Sequence, residues 1–240
     1  LPGLSHTLRV DTPQAIRDAL LKAGPGTQIV ATQPAGGPVS IESHFDEAVA
    51  AVGVAEEVLA GEREQTDAYV IACFGDPGLW SARELTRAPV IGIAEAAFHM
   101  AAMVATRFSV VTTLGRTGII AEHLLQQYGF AHLCRKVRAA EIPVLDLEHD
   151  PDAALRKIIE ESLRAKNEDG IGAIVLGCGG MAGLDEQIRQ RTGVPVVDGV
   201  TAAVTIAESL VRLRLSTSKV RTYATPRPKN IIGWPGRFGR

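Results

Sequence analysis

A strand-to-cysteine phrase occurs twice in this chain, and no other feature restricts its fold as much. Residues 67–73 read Asp-Ala-Tyr-Val-Ile-Ala-Cys and lead into Gly75, Pro77 and Gly78. Residues 172–178 read Gly-Ala-Ile-Val-Leu-Gly-Cys and lead into Gly179 and Gly180. Each phrase is followed by a helical stretch and then by a short strand opened by proline, Pro89 in one copy and Pro195 in the other. The repetition predicts two similar α/β halves. Each presents one thiol at the carboxyl end of a strand, where the active sites of open α/β sheets lie.

The rest of the chain fits that plan. Short apolar or β-branched runs at 28–31, 68–72, 90–93, 109–113, 173–176 and 194–197 predict strands. Amphipathic stretches at 13–23, 47–60, 79–85, 94–104, 119–128, 152–166, 184–191 and 202–213 predict helices between them. A run that is apolar throughout, such as 173–176, suits a parallel sheet covered on both faces. The expected architecture is therefore α/β, with two pseudo-symmetric halves, parallel sheets and the active site in the cleft between them. The first half is expected to comprise 1–97 with 214–240 and to carry Cys73, the second 98–213 with Cys178.

Composition excludes several function classes. A net charge of −2 over 240 residues makes no electrostatic case for nucleic acid or an anionic membrane. The basic residues after Arg212 are separated by proline and glycine. The longest apolar-leaning run, 91–104, is interrupted by Glu95 and His99 and does not make a membrane span. Three cysteines, with no C-x-x-C pair among them, argue against a disulfide framework or a zinc site. Reduced thiols, a cytoplasmic location, a small-molecule substrate and a homo-oligomer are the expectations.

Two strand-end thiols followed by glycine suggest acid–base chemistry. Backbone N–H groups at a helix start favour the thiolate and are expected to lower its pKa from about 8.5. A thiol and a thiolate on opposite faces of one carbon act as acid and base without a metal or cofactor, provided an adjacent carbonyl acidifies the C–H bond. Glycine neighbours allow the backbone to approach a planar enolate and to donate to its oxygen. A cysteine is also commonly a small buried hydrophobe, and Cys134, in Leu-Cys-Arg-Lys, is read that way. Glu95, after the strand at 90–93, and Thr112 and Thr113, ending the strand at 109–113, are candidates to reach the substrate. Each also has a structural reading: a carboxylate at a helix start, or threonine in a strand. The segment Gly177-Cys178-Gly179-Gly180-Met181-Ala182, with Asp198 closing the next strand, also satisfies the outline of a dinucleotide fingerprint. That outline leaves the matching Cys73 segment unexplained. The six histidines have no ligand spacing, and no metal site is expected.

The segments 71–78 (Ile-Ala-Cys-Phe-Gly-Asp-Pro-Gly), 89–97, 107–113 and 174–181 (Ile-Val-Leu-Gly-Cys-Gly-Gly-Met) together resemble the hydantoin and allantoin racemases, a family within the aspartate/glutamate racemase superfamily. The resemblance runs from about Ile41 to Ser218. It implies a two-domain pseudo-symmetric fold and cofactor-independent racemisation at C5 of a 5-substituted hydantoin. Cys73 and Cys178 match the two catalytic cysteines. Phe74, Gly75, Gly177, Gly179 and Gly180 match the loops expected to offer backbone donors, and Ser40 and Ile41, with Glu42, resemble the loop that closes over the substrate. Two departures stand out. The family's opening strand ends in Asn-Pro-Asn-Thr-Ser, whereas residues 4–13 here contain no such motif, and Gly179 stands where many hydantoin racemases carry alanine. Within the superfamily, amino-acid racemases and arylmalonate-type decarboxylases are the alternatives, and a non-catalytic small-molecule binding protein is a third.

Overall fold

The computed structural model describes residues 6–10, as backbone, and 23–229. The helix expected at 13–23 lies almost wholly outside them, as do 11–13 and the basic end of the chain from 230.

The first sheet is built from β1 (His6–Val10), β2 (Thr27–Ala31), β3 (Ala68–Ile71) and β4 (Val90–Gly92), all parallel, in the order β2-β1-β3-β4. The second contains β5 (Phe108–Thr112), β6 (Cys134–Ala139), β7 (Ala173–Leu176) and β8 (Val196–Asp198), also parallel, in the order β6-β5-β7-β8. The two orders are the same pattern repeated. β3 and β7, the strands that precede the two cysteines, occupy equivalent interior positions. All four residues of each are buried, as an apolar strand covered on both faces must be.

Eight α-helices are described: α1 (His44–Arg63), α2 (Leu79–Leu85), α3 (Ile93–Val104), α4 (Gly115–Gln127), α5 (Asp146–His149), α6 (Pro151–Glu168), α7 (Asp185–Thr192) and α8 (Gly199–Arg212). Ser43 starts α1, its hydroxyl accepting from the Asp46 N–H at 3.2 Å, and Asp150 starts α6 in the same way through the Ala153 N–H. Asp198 both ends β8 and caps α8, accepting from the N–H groups of Val200 and Thr201.

Two strands were not apparent in the sequence. β6 reads Cys-Arg-Lys-Val-Arg-Ala, a charged edge strand whose Arg135 and Lys136 are exposed and whose apolar content is too low to signal a strand. β1 pairs with both β2 and β3, so the first strand is present although the family's motif is absent from its sequence.

The helices that follow the two sheets are exchanged. α3, which leaves the first sheet, packs on β7 and β8. α8, which leaves the second, packs on β3, β4 and β1, and the two helices lie against each other. Where they start, the backbones nearly touch: a Cβ on Gly199 would fall 2.6 Å from the Ile93 carbonyl oxygen. Phe98 on α3 is fully buried among Phe74, Phe108 and Phe130, so the largest core cluster draws on both sheets. The division expected from the sequence therefore cuts α3 at residue 97. It also groups α8 with the second half, whereas α8 covers the sheet of the first.

Candidate active site

Both cysteine loops leave the carboxyl ends of interior strands, and they meet. A Cβ on Gly179 would lie 2.2 Å from the carbonyl oxygen of Ala72, so the backbone after the second cysteine rests on the backbone before the first. Only glycine permits that approach without moving a loop. Cys73, Cys134 and Cys178 are all thiols, and the first two named in the repeat, Cys73 and Cys178, are each partly exposed.

Cys178 precedes a single 3-10 turn, Gly179–Met181, and its sulfur receives the backbone N–H groups of Gly180 and Met181. Those donors favour the thiolate, as expected. Burial opposes them and prevails, aided by the negative charge of Glu42: the thiol is pushed up to about 11. The expectation that the helix start alone would lower this thiol's pKa is thus corrected by its burial.

The Cys73 loop is held from below by Asp76, a residue whose role has no signal in the spacing of the sequence. Its backbone sits at φ 45°, in the left-handed region. The Asp76 carboxylate is buried and accepts from the N–H groups of Ala94 and Glu95 at 3.0 Å each and from the Tyr128 hydroxyl at 2.9 Å. It therefore caps α3 from a distant loop, which ties the Cys73 turn to the helix that packs under the other sheet. Burial pushes its pKa up to about 7 against the pull of these three donors. Gly92 makes room for it, since a Cβ there would lie 2.2 Å from the carboxylate. Glu47 of α1 presses on the same loop. Its Oε1 lies where a Gly75 side chain would be and is buried without a hydrogen-bond partner, while Oε2 meets His44 Nδ1 at 3.2 Å. Burial raises its pKa.

The remaining sequence candidates divide. Phe74 is buried against Phe98, and Gly75 is partly exposed in the Cys73 loop. Gly177 is buried, with its carbonyl accepting from the Thr112 hydroxyl at 2.8 Å. Gly180 is exposed beside the Cys178 sulfur, 3.8 Å from where its own Cβ would be. Thr112 and Thr113 are each 1% exposed. Instead of opening to a substrate, Thr112 ties β5 to the loop before Cys178, and Thr113 lies 3.5 Å from the Thr117 hydroxyl. Glu95 turns to Arg83, with Oε2–Nη2 at 2.5 Å, and borders a cavity of about 400 Å³ between α3 and α8 whose lining includes neither cysteine. That pairing gives it a structural part. Ser40 and Ile41 lie partly buried in the loop before α1. The next residue, Glu42, reaches the other half of the molecule, its Oε1 accepting from the Val144 N–H at 2.9 Å. Among the described residues no cluster of three His, Cys, Asp or Glu side chains is placed to hold a metal, and no helix is long and apolar enough to cross a membrane.

Comparison with known proteins agrees with this geometry. Residues 11–207 match the family model described as Asp/Glu/Hydantoin racemase. A hydantoin racemase of Rhizobium meliloti is 50% identical over 92% of this chain and 92% of its own. The solved structure of an allantoin racemase from Klebsiella pneumoniae superposes with a TM-score of 0.93 at 54% identity, covering 95% of this chain and 97% of that one. An allantoin racemase from Pseudomonas fluorescens does so at 0.88 and 48%, over 95% of this chain and 100% of its own.

Proposed function

The chain belongs to the Asp/Glu/hydantoin racemase family, and from that premise we propose that it inverts C5 of a 5-substituted hydantoin by proton transfer between two cysteines. The observation that carries the reading is the repeat itself. Cys73 and Cys178 follow equivalent strands of two like sheets, and their loops touch at Gly179 and Ala72.

The reaction follows from the chemistry of that pair. One cysteine, as thiolate, takes the C5 proton onto its sulfur. The electron pair left on C5 delocalises into the adjacent ring carbonyl, giving a planar enolate. The other cysteine, as thiol, gives its proton to the opposite face, and the two sulfurs have exchanged protonation states. Negative charge develops on the carbonyl oxygen in the transition states and the enolate but not in the bound hydantoin, so backbone donors from Gly75, Gly179 and Gly180 contribute where it counts, roughly 3 kcal/mol for each well-placed donor. The substrate's own carbonyl acidifies C5, and for that reason the proposed step needs no cofactor. Allantoin, with a ureido 5-substituent, and 5-alkylhydantoins present the same ring and the same reacting carbon. We read the enzyme as cytoplasmic and homo-oligomeric, in keeping with three reduced thiols and the prevalence of closed symmetric assemblies.

Polarimetry on enantiopure allantoin and an enantiopure 5-alkylhydantoin, side by side, tests the proposal. Optical rotation should decay to zero, and Cys73→Ser and Cys178→Ser should each abolish the decay. Full racemase activity in either variant overturns the mechanism. Binding without any loss of rotation over hours makes the protein a binder, and turnover only of a substituted malonate or a free amino acid moves it to another branch of the family.

A further inference from the structure

We propose that Glu42 is a positioning residue, whose carboxylate latches the loop at 38–43 of the Cys73 half onto the segment at 142–149 of the Cys178 half. The inference deepens the two-cysteine reading and rests on it for its kinetic consequence.

Six contacts support the assignment. The Glu42 Oε1 accepts from the Val144 N–H at 2.9 Å, a bond between residues 102 apart in sequence that joins the two halves. The base from which Glu42 reaches is fixed. Its N–H donates to Asp46 Oδ2 at 3.1 Å, and the Ser43 hydroxyl donates to the same oxygen at 2.7 Å, so Glu42 is locked to the capped start of α1. The loop before it is also seated on α1, where Pro34 fills the space beside Gly53. On the other side, the receiving segment lies on the second cysteine loop. Leu147 is buried and occupies the place that a Gly180 side chain would take, two residues after Cys178. The Ile142 N–H donates to Thr113 O at 3.0 Å and fixes the beginning of the segment to the second sheet. Both ends are thus anchored and Glu42 spans between them. The contact of Leu147 with Gly180, whose Cβ would lie 3.8 Å from the Cys178 sulfur, places the receiving segment beside that thiol, and the negative charge of Glu42 acts on it in the direction of the neutral form.

A hydrogen bond to a charged acceptor supports a change of tenfold or more when it is removed. Glu42→Ala should therefore raise KM for racemisation about tenfold, while kcat changes less. Glu42→Gln retains an oxygen that accepts from the Val144 N–H and should bring KM back to within about twofold of the parent. A second readout needs no turnover. Alkylation of Cys178 by iodoacetamide, followed by peptide mass, should run several-fold faster in Glu42→Ala than in Glu42→Gln, which has lost the same charge but keeps the bond to Val144. Alkylation of Cys134 should not change, which separates an opened latch from a loosened fold. Should Glu42→Ala fail to fold, Glu42→Asp, one methylene too short to reach, is expected to show the same pair of effects. Parent-like KM and parent-like Cys178 alkylation in the shortened variants overturn the latch, as does failure of Glu42→Gln to restore KM or to alkylate more slowly than Glu42→Ala. A parent protein that racemises nothing sinks the functional reading instead, and the alkylation comparison then decides the latch alone.

Discussion

Cys178 lies under two backbone N–H groups, yet its thiol is held up at about 11, because burial and the charge of Glu42 outweigh those donors. At neutral pH it is therefore held as the neutral thiol. Its alkylation by iodoacetamide should be slow at pH 7 and rise about tenfold per pH unit toward pH 11, since the thiolate is the nucleophile. Peptide mass mapping checks this, and a plateau below pH 9 would contradict it. Asp76 gives a second prediction at this scale. Its folded pKa of about 7 lies above the ordinary aspartate value of about 4, so the folded state binds the proton more tightly than the unfolded one. The stability it contributes is complete below pH 4 and is lost as pH rises through 7. Thermal unfolding should show the midpoint falling across that window, and Asp76→Asn should flatten the slope; an unchanged slope in the variant refutes the assignment. The two cysteines were legible in the sequence because they repeat with their strands and glycines. Asp76 and Glu47 were not, and Glu42 was placed in its loop without its partner, because each acts on a group brought close only by folding: the start of α3, the Gly75 loop and the Val144 N–H. The pairing of Glu95 was hidden for the same reason, since its partner Arg83 sits on the neighbouring helix α2.

At the scale of elements, the strand ends are positioned by close backbone approaches that no side chain could share. Gly92 is the clearest case, because its missing Cβ leaves the space in which the Asp76 carboxylate caps α3. Gly92→Ala should cost about 1–3 kcal/mol through overpacking and loss of the cap. Urea unfolding measures it, and a loss below about 0.5 kcal/mol would show that the loop relaxes freely. Most elements were legible from periodicity, β3 and β7 best, because they are buried at every position and carry almost no polar residues. The missed strand β6 follows a different logic. As an edge strand it exposes the adjacent cations Arg135 and Lys136, and its buried Arg138 is matched by Asp169 at 2.6 Å and Glu168 at 2.7 Å. A strand stabilised by ion pairs leaves little hydrophobic signal.

Across the whole molecule, the exchange of α3 and α8 makes each half depend on a helix contributed by the other. The repeat in sequence indicated two halves but could not show this crossing, since both helices look alike in either place. The consequence is one cooperative unit. Phe98→Ala, which empties the shared core, should cost about 3–5 kcal/mol and lower the unfolding of both sheets together. Hydrogen exchange read separately on β3 and β7 checks it, and loss of protection in one sheet alone would contradict it. The same crossing brings the two cysteine loops into contact, and the proposed reaction requires one small ring to meet a sulfur from each half. Exchange of the C5 proton for deuterium in the single-cysteine variants tests that arrangement most directly, followed by NMR on each enantiomer of allantoin in D2O. Cys178→Ser should label one enantiomer and Cys73→Ser the other, with neither variant converting one into its mirror image. Labelling of both enantiomers by a single variant, or inversion by either, would contradict a site in which each cysteine serves one face.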